Sequence, residues 1–284
     1  MKYRHRYHAG NFADVHKHVT LLALLAALQR KDKGFLYLDT HAGRGAYDLS
    51  SPAAEARAGI GRFQETPVAA EELRAYGAAL AQLRVAFKQR HFYGGSPLLA
   101  VQALRAQDRA VLIELQGTEV HLLHESVAAL ATARGANARV ERGDGLQRLK
   151  AHLPPPERRG LTLIDPPYEE TEADFTAVTA ALAEALRRFP TGVAMAWYPI
   201  KEQRQTRAWH AVVARTLTAP LLVSELWLFP RDSRVALNGS GLLILNPPHQ
   251  LLERMQLWLP ELVAALGDGP DAGSSARMLS QSPS

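Results

Sequence analysis

The chain has 284 residues, 47% of them hydrophobic, enough for one large α/β domain with a full core and too many for wholesale disorder. It has no cysteine, which excludes disulfides and thiolate-bound metals and favours a reducing compartment. The net charge of +5 permits a polyanionic partner without requiring one. Residues 1–13 alternate basic and aromatic side chains, a composition suited to a nucleic-acid backbone and to base stacking, and equally to a solvated arm. Asp14 is placed to cap a helix running to about residue 29, with an apolar face at Val15, Val19, Leu22 and Leu25. His16, Lys17 and His18 lie in its first turns. The apolar run 19–28 follows basic residues as in a secretory signal. However, Asp14 interrupts the basic region, no small-x-small site precedes residues 29–33, and the run is too short to span a membrane. It reads as a buried helix in a cytoplasmic protein.

Residues 35–39, Phe-Leu-Tyr-Leu-Asp, read as the first strand, followed at once by Thr-His-Ala-Gly-Arg-Gly at 40–45. A glycine-rich turn there is where nucleosides and dinucleotides approach the backbone. The third glycine of the NAD fingerprint is missing, because position 48 is Asp. Residues 48–66 read as loop and 68–90 as helix, so 48–95 is expected to be a helical insertion subdomain. Ser96 and Pro97 open the next helix. Strands follow at 110–115, with Glu114 near the end, and at 138–141, before Gly143-Asp144-Gly145.

Residues 161–168, Leu-Thr-Leu-Ile-Asp-Pro-Pro-Tyr, form the most telling stretch. A short buried strand ends on Asp165, then two prolines without N–H groups, then Tyr168. Asp165 and the Pro166 carbonyl make a stiff pair of acceptors beside an aromatic ring, suited to a planar ring carrying an exocyclic NH2. A strand ending in a proline-rich turn is the other reading, and Pro247-Pro248 reads that way. Helices at about 172–189, 201–217 and 251–266 and strands at 192–197, 221–229 and 241–245 complete the pattern. A disordered tail is expected over 268–284.

The expected fold is α/β: a doubly wound, seven-stranded, mostly parallel sheet with an antiparallel edge. The expected divisions are 1–47 with 96–267, 48–95, and 268–284. Four polar sites fall at four strand ends: Gly43 with Gly45, Glu114, Asp144 and Asp165. Turn propensity alone rarely yields four in order. This is the arrangement of a Rossmann-like S-adenosylmethionine-dependent methyltransferase, with the turn near the methionine part, Glu114 on ribose, Asp144 at adenine and Asp165 at the transferred methyl.

Asp165-Pro-Pro-Tyr168 with the glycine turn resembles the adenine N6-methyltransferases. Tyr3-Arg-His5, His8-Ala-Gly-Asn11, Ala13-Asp-Val15, Lys17-His18, the 35–43 stretch, Tyr93-Gly-Gly-Ser-Pro97 and Arg159-Gly160 resemble the bacterial 23S rRNA adenine-N6 methyltransferases that act during large-subunit assembly. The resemblance covers about residues 3–265. It implies methylation of adenine 2030, S-adenosylmethionine contacts from His18, His41, Gly43, Ser96, Glu114, Asp144, Gly145 and Asp165, and RNA contact from Tyr3 and Lys17. It also implies catalysis at Asp165, with Pro166 and Tyr168, in a monomer. Phe12 departs from the polar residue expected there.

Asp165 and the Pro166 carbonyl are expected to accept the two N6–H bonds while Tyr168 stacks on the swung-out base. The histidines carry no metalloenzyme spacing, so no metal is expected. DNA adenine, a protein glutamine, a non-catalytic RNA-binding scaffold and an NAD oxidoreductase are the competing readings. Glutamine enzymes usually carry Asn where this chain has Asp165.

Overall fold

The computed structural model describes residues 8–169, 171–230, 232–233, 237–267 and 269–280. Helix α1 (Phe12–Gln29) begins one turn earlier than expected, because Asn11 rather than Asp14 is its N-cap. The Asn11 side chain accepts from the Asp14 amide at 2.9 Å, and the Asp14 carboxylate accepts from the Gly10 amide at 2.9 Å, a reciprocal cap. At the other end Arg159 donates to the Leu28 and Lys33 carbonyls, so the helix leaves toward the sheet without a glycine cap.

The chain continues as β1 (Leu36–Asp39), β2 (Ala46–Asp48), α2 (Ala54–Ala56), a π-helical turn (Arg57–Gly61), α3 (Arg62–Glu65), α4 (Glu71–Ala86), β3 (Phe92–Gly94), α5 (Ser96–Ala103) and β4 (Arg109–Glu114). Then come α6 (Gly117–Arg134), β5 (Asn137–Arg142), α7 (Gly145–His152), β6 (Gly160–Ile164), α8 (Thr171–Arg188), β7 (Val193–Ile200), α9 (Gln203–Thr216), β8 (Leu221–Trp227), β9 (Gly239–Leu245), α10 (Leu251–Leu266) and β10 (Gly273–Met278). The main sheet runs β10-β8-β9-β7-β6-β1-β4-β5. From β5 to β7 it is parallel, and β7, β9, β8 and β10 pair antiparallel. From β1 the chain winds outward to β4 and β5, then returns to β6 on the other side. The β1/β6 boundary is therefore the switch point, where open α/β sheets bind ligands.

Strand alternation divides the core. Tyr37, Leu112, Leu163 and Met195 face a layer built with α1, α4, α5, α6 and α10; Leu38, Ile113, Ile164 and Ala196 face α7, α8 and α9. Between β1 and β4, residues 48–66 are not simply loop: they contain α2, the π-helical turn and α3. β2 and β3 pair antiparallel, and Leu73, Tyr76, Leu80 and Leu83 of α4 pack into the same core as α1.

Within the expected disordered tail, residues 273–278 form β10, in six-residue register with β8, so the sheet has eight strands rather than seven. The pairing is through backbone, which a polar Gly-Ser-Ser-Ala-Arg-Met segment supplies as well as an apolar one. Arg277 adds a 3.3 Å contact to His210. Among the described residues no helix is long and apolar enough to cross a membrane.

The β7–β9 pair carries a tight cross-strand fit. Tyr198 lies opposite Gly241, where an added Cβ would come within 2.0 Å of the tyrosine ring. Gly241→Ala is expected to cost about 1–3 kcal/mol through displacement of that buried ring, read as a lower denaturant midpoint.

Candidate active site

Period-two alternation selects which strand residues meet at the switch point. Counting on from Tyr37, Leu112, Leu163 and Met195 places Asp39, Glu114, Asp165 and Trp197 on the α1 side of the sheet. The strand order sets Trp197, Asp165, Asp39 and Glu114 side by side at the carboxyl edge.

Lys17 descends from α1 into this row. Its Nζ donates to Asp14 Oδ1 at 2.8 Å and to Asp165 Oδ2 at 2.6 Å, and it is buried. Burial opposes the charge, but the two carboxylates outweigh it and hold the lysine pKa above its usual range. The expected RNA contact at Lys17 is thus not what the structure shows. The reason is reach: the i,i+3 spacing puts Lys17 beside Asp14, and the helix points both at the end of β6. Tyr3 lies outside the described residues.

Asp39 is fully buried between β6 and β4. The Tyr37 hydroxyl and the Ser96 hydroxyl donate to its Oδ2, each at 2.8 Å, and the His41 amide donates to Oδ1 at 3.2 Å. Burial pushes the Asp39 carboxyl up to about 6, against those hydrogen bonds, which favour the charged form. Ser96 is held here at the start of α5.

The glycine turn follows. Gly43 and Gly45 have φ of +61° and +76°, conformations that need glycine. A Cβ on Gly43 would meet only the Tyr47 hydroxyl, at 3.0 Å, so the turn borders open space. The Gly43 amide donates to Glu114 Oε2 at 2.9 Å and the Gln116 amide to Oε1 at 2.8 Å, tying the turn to the end of β4. The Thr40 hydroxyl donates to the Leu163 carbonyl, so at 2.8 Å it accepts from His41 Nδ1, which leaves Nε2 as an acceptor. Burial lowers the His41 pKa to about 4 and keeps the ring neutral.

Asp144 caps α7, accepting from the Gln147 amide at 3.1 Å. A Cβ on Gly145 would lie 1.9 Å from the Thr40 carbonyl, so only glycine lets α7 start against the end of β1. His18 is buried, its Nδ1 2.9 Å from the Tyr93 hydroxyl.

Tyr168 corrects an expectation. Its φ is +48°, it is 4% exposed, and its hydroxyl donates to the Trp197 carbonyl at 2.8 Å. Its ring packs edge-on against Phe175 and Trp197, so it offers no open face to a base. The left-handed turn after two prolines folds it back under the sheet. Pro166 is buried beside it and Pro167 is exposed.

Sequence reasoning missed Asp14, Asp39 and Trp197 as members of this cluster. The period-two count from the core strands was the signal for Asp39 and Trp197. The donor set fits S-adenosylmethionine: a glycine turn open to approach, a carboxylate at the end of β4 for a diol, another at α7 for an amine, and several carboxylates facing a cationic group. Among the described residues no group of three or more His, Asp or Glu is arranged to hold a metal ion.

Residues 32–278 match the protein family described as Ribosomal RNA large subunit methyltransferase D, RlmJ. The chain is 38% identical over 270 residues to the Ribosomal RNA large subunit methyltransferase J of Haemophilus influenzae and 40% identical over 270 residues to that of Escherichia coli K12, covering 94% of each chain in both cases. A crystal structure of a Legionella pneumophila protein superposes with TM-score 0.84 at 35% identity, over 97% of this chain and 99% of that one.

Two measurements check this geometry. Lys17→Met leaves the buried Asp14 and the half-buried Asp165 carboxylates uncompensated and is expected to cost about 3–5 kcal/mol in urea unfolding. A carboxyl harder to ionise folded than unfolded gives stability that is present below the unfolded value and lost as pH rises through the folded one. Relative to Asp39→Asn, the wild type is therefore expected to lose about 3 kcal/mol as pH rises from about 4 to about 7.

Proposed function

The chain belongs to the ribosomal RNA large subunit methyltransferase J family, and from that membership we propose that it methylates the exocyclic N6 of one adenine of 23S rRNA during large-subunit assembly. It is an S-adenosylmethionine-dependent rRNA methyltransferase; the base, the atom and the assembly stage are the proposal. The observation that carries it is the acidic end of β6: a carboxylate pinned by an ammonium at 2.6 Å, followed by two prolines that offer carbonyls and no donors.

The proposed roles follow from what each residue holds. Glu114, bridging to the glycine turn, takes the ribose hydroxyls. Asp144 and Gly145 take the adenine side, and Ser96, His18, His41 and Gly43 frame the methionine part. S-adenosylmethionine supplies an electrophilic methyl group on a sulfonium. Lys17 occupies Asp165 Oδ2 and leaves Oδ1 to accept an N6–H, with the Pro166 carbonyl as the second acceptor. Two acceptors draw the amine toward tetrahedral geometry and expose its lone pair. The Asp165 carboxylate then faces the positive charge that develops on nitrogen. Because Lys17 is itself held by Asp14, the carboxylate is oriented before the base arrives. Tyr3 is proposed to meet the RNA. The protein is read as a cytoplasmic monomer.

The test is methyl transfer from labelled S-adenosylmethionine to 23S rRNA from cells lacking this protein, with DNA and protein fractions alongside. Label recovered from rRNA as N6-methyladenosine supports the reading; label in another fraction or on another base overturns it. Asp165→Ala is expected to lower turnover by about 100- to 1,000-fold, the scale of losing a preorganised group at the reacting atom. Cofactor affinity, followed by calorimetry, is expected to stay within a few fold.

A further inference from the structure

Trp197 occupies a place that the functional reading has not used. Ile164 of β6 pairs with Ala196 of β7, so Trp197 stands abreast of Asp165 on the neighbouring strand. Its ring centroid is 5.9 Å from Lys17 Nζ, the same nitrogen that lies 2.6 Å from Asp165 Oδ2. Ring and carboxylate therefore border one small volume. The aromatic cluster around it is closed: Tyr168, Phe175, Tyr198 and Trp209 are buried, whereas Trp197 is partly exposed.

The ring is also aimed. The indole Nε1 donates to Ser240 Oγ at 3.0 Å. Ser240 Oγ lies 3.0 Å from His16 Nδ1, and His16 Nε2 lies 2.9 Å from Ser224 Oγ. An indole nitrogen only donates, so Ser240 Oγ accepts from Trp197, and the two ring nitrogens of His16 lie against Ser240 and Ser224. Burial keeps His16 neutral, its pKa lowered to about 3 against a hydrogen bond to the Ser240 backbone that favours the charged form. His16, Ser224 and Ser240 are all fully buried. A satisfied polar chain in a dry interior fixes orientation, which packing of an apolar ring alone does not. The Trp197 backbone is fixed as well, through its carbonyl and the Tyr168 hydroxyl at 2.8 Å.

We propose that Trp197 is the platform on which the target base lies when its amine meets Asp165, and that the Ser240–His16–Ser224 chain sets the angle of that platform. The proposal rests on the preceding reading that a planar base is presented at Asp165. It gives Trp197 the stacking role that the sequence suggested for Tyr168, whose part is to hold the Trp197 backbone from beneath.

The experiment compares wild type with Trp197→Ala, Trp197→Phe and Ser240→Ala. The readouts are kcat and KM for undermethylated 23S rRNA, the Kd for S-adenosylmethionine, the thermal midpoint, and fluorescence of 2-aminopurine placed at the target position. Trp197→Ala is expected to lower kcat/KM for rRNA about 10- to 100-fold, the range for loss of one base–aromatic stack. Its cofactor Kd is expected to stay within about twofold, and its 2-aminopurine to be brighter than in the wild-type complex, where stacking quenches it. Trp197→Phe, which keeps a ring without the tether, is expected to restore most of the activity. Ser240→Ala is expected to lose about fivefold, one hydrogen bond's worth. If Trp197→Ala fails to fold, the other two variants carry the comparison. Wild-type kcat/KM in Trp197→Ala or Ser240→Ala, or unchanged quenching while activity, cofactor affinity and stability fall together, overturns the proposal. A wild-type protein that methylates no rRNA overturns the functional reading and this inference with it.

Discussion

The ammonium of Lys17, held between Asp14 and Asp165, is the interaction on which the site depends. A single buried cation between two carboxylates is costly to desolvate and worse to leave incomplete, so each partner constrains the others. Asp14 is bound to the Gly10 amide and to the cap of α1; Asp165 closes β6. The first turn of the first helix and the end of the fourth parallel strand are thereby locked in one geometry. A helix residue 148 positions away in the chain orients the Asp165 carboxylate.

Around that bridge the sheet supplies a row of groups with different jobs. Asp39, buried and hydrogen-bonded by Tyr37 and Ser96, belongs to the scaffold: it joins β1 to α5 and sets where the glycine turn begins. Glu114 joins the turn to β4 by accepting two backbone amides, yet each of its oxygens keeps acceptor capacity for another donor. The glycines matter at distinct points. Gly43 and Gly45 bend the turn, and Gly145 lets α7 begin against the Thr40 carbonyl. In the proposed reading a nucleoside-bearing group meets backbone and carboxylates, and the amine of a base meets Asp165 with the Pro166 carbonyl.

The aromatic residues divide in the same way. Tyr168, Phe175, Tyr198 and Trp209 form a buried cluster of edge-on and tilted contacts beneath the sheet. Trp197 stands at its margin on the opposite face, touching both halves of the core. Its indole is tied through Ser240 and His16 to strands β8 and β9, so the antiparallel half of the sheet reaches the carboxyl end of β6. α1 contributes to both ties, through Lys17 to Asp165 and through His16 to the tryptophan, two adjacent residues aimed at two strands.

Much of this was legible in the chain alone, for physical reasons that can be named. Strands such as Leu36–Asp39 and Gly160–Ile164 are short apolar runs that end on or just before a carboxylate, so their existence and terminal acids follow from local pattern. The glycine turn, Glu114 and Asp144 are strand-end residues, and strand ends are where a parallel sheet collects its ligands. What the sequence could not decide is which of two plausible neighbours a side chain takes. Lys17 was expected to meet RNA and is a buried bridge, because its partner Asp165 lies 148 residues away. Tyr168 looked like an open platform and is core, because the turn after Pro167 runs left-handed. Residues 273–278 looked unstructured and form an edge strand, because backbone pairing with β8 requires no apolar pattern. Local pattern determines which elements form and where their polar ends fall; only the packed tertiary structure decides which of those ends are used to hold the protein together and which are left facing a substrate.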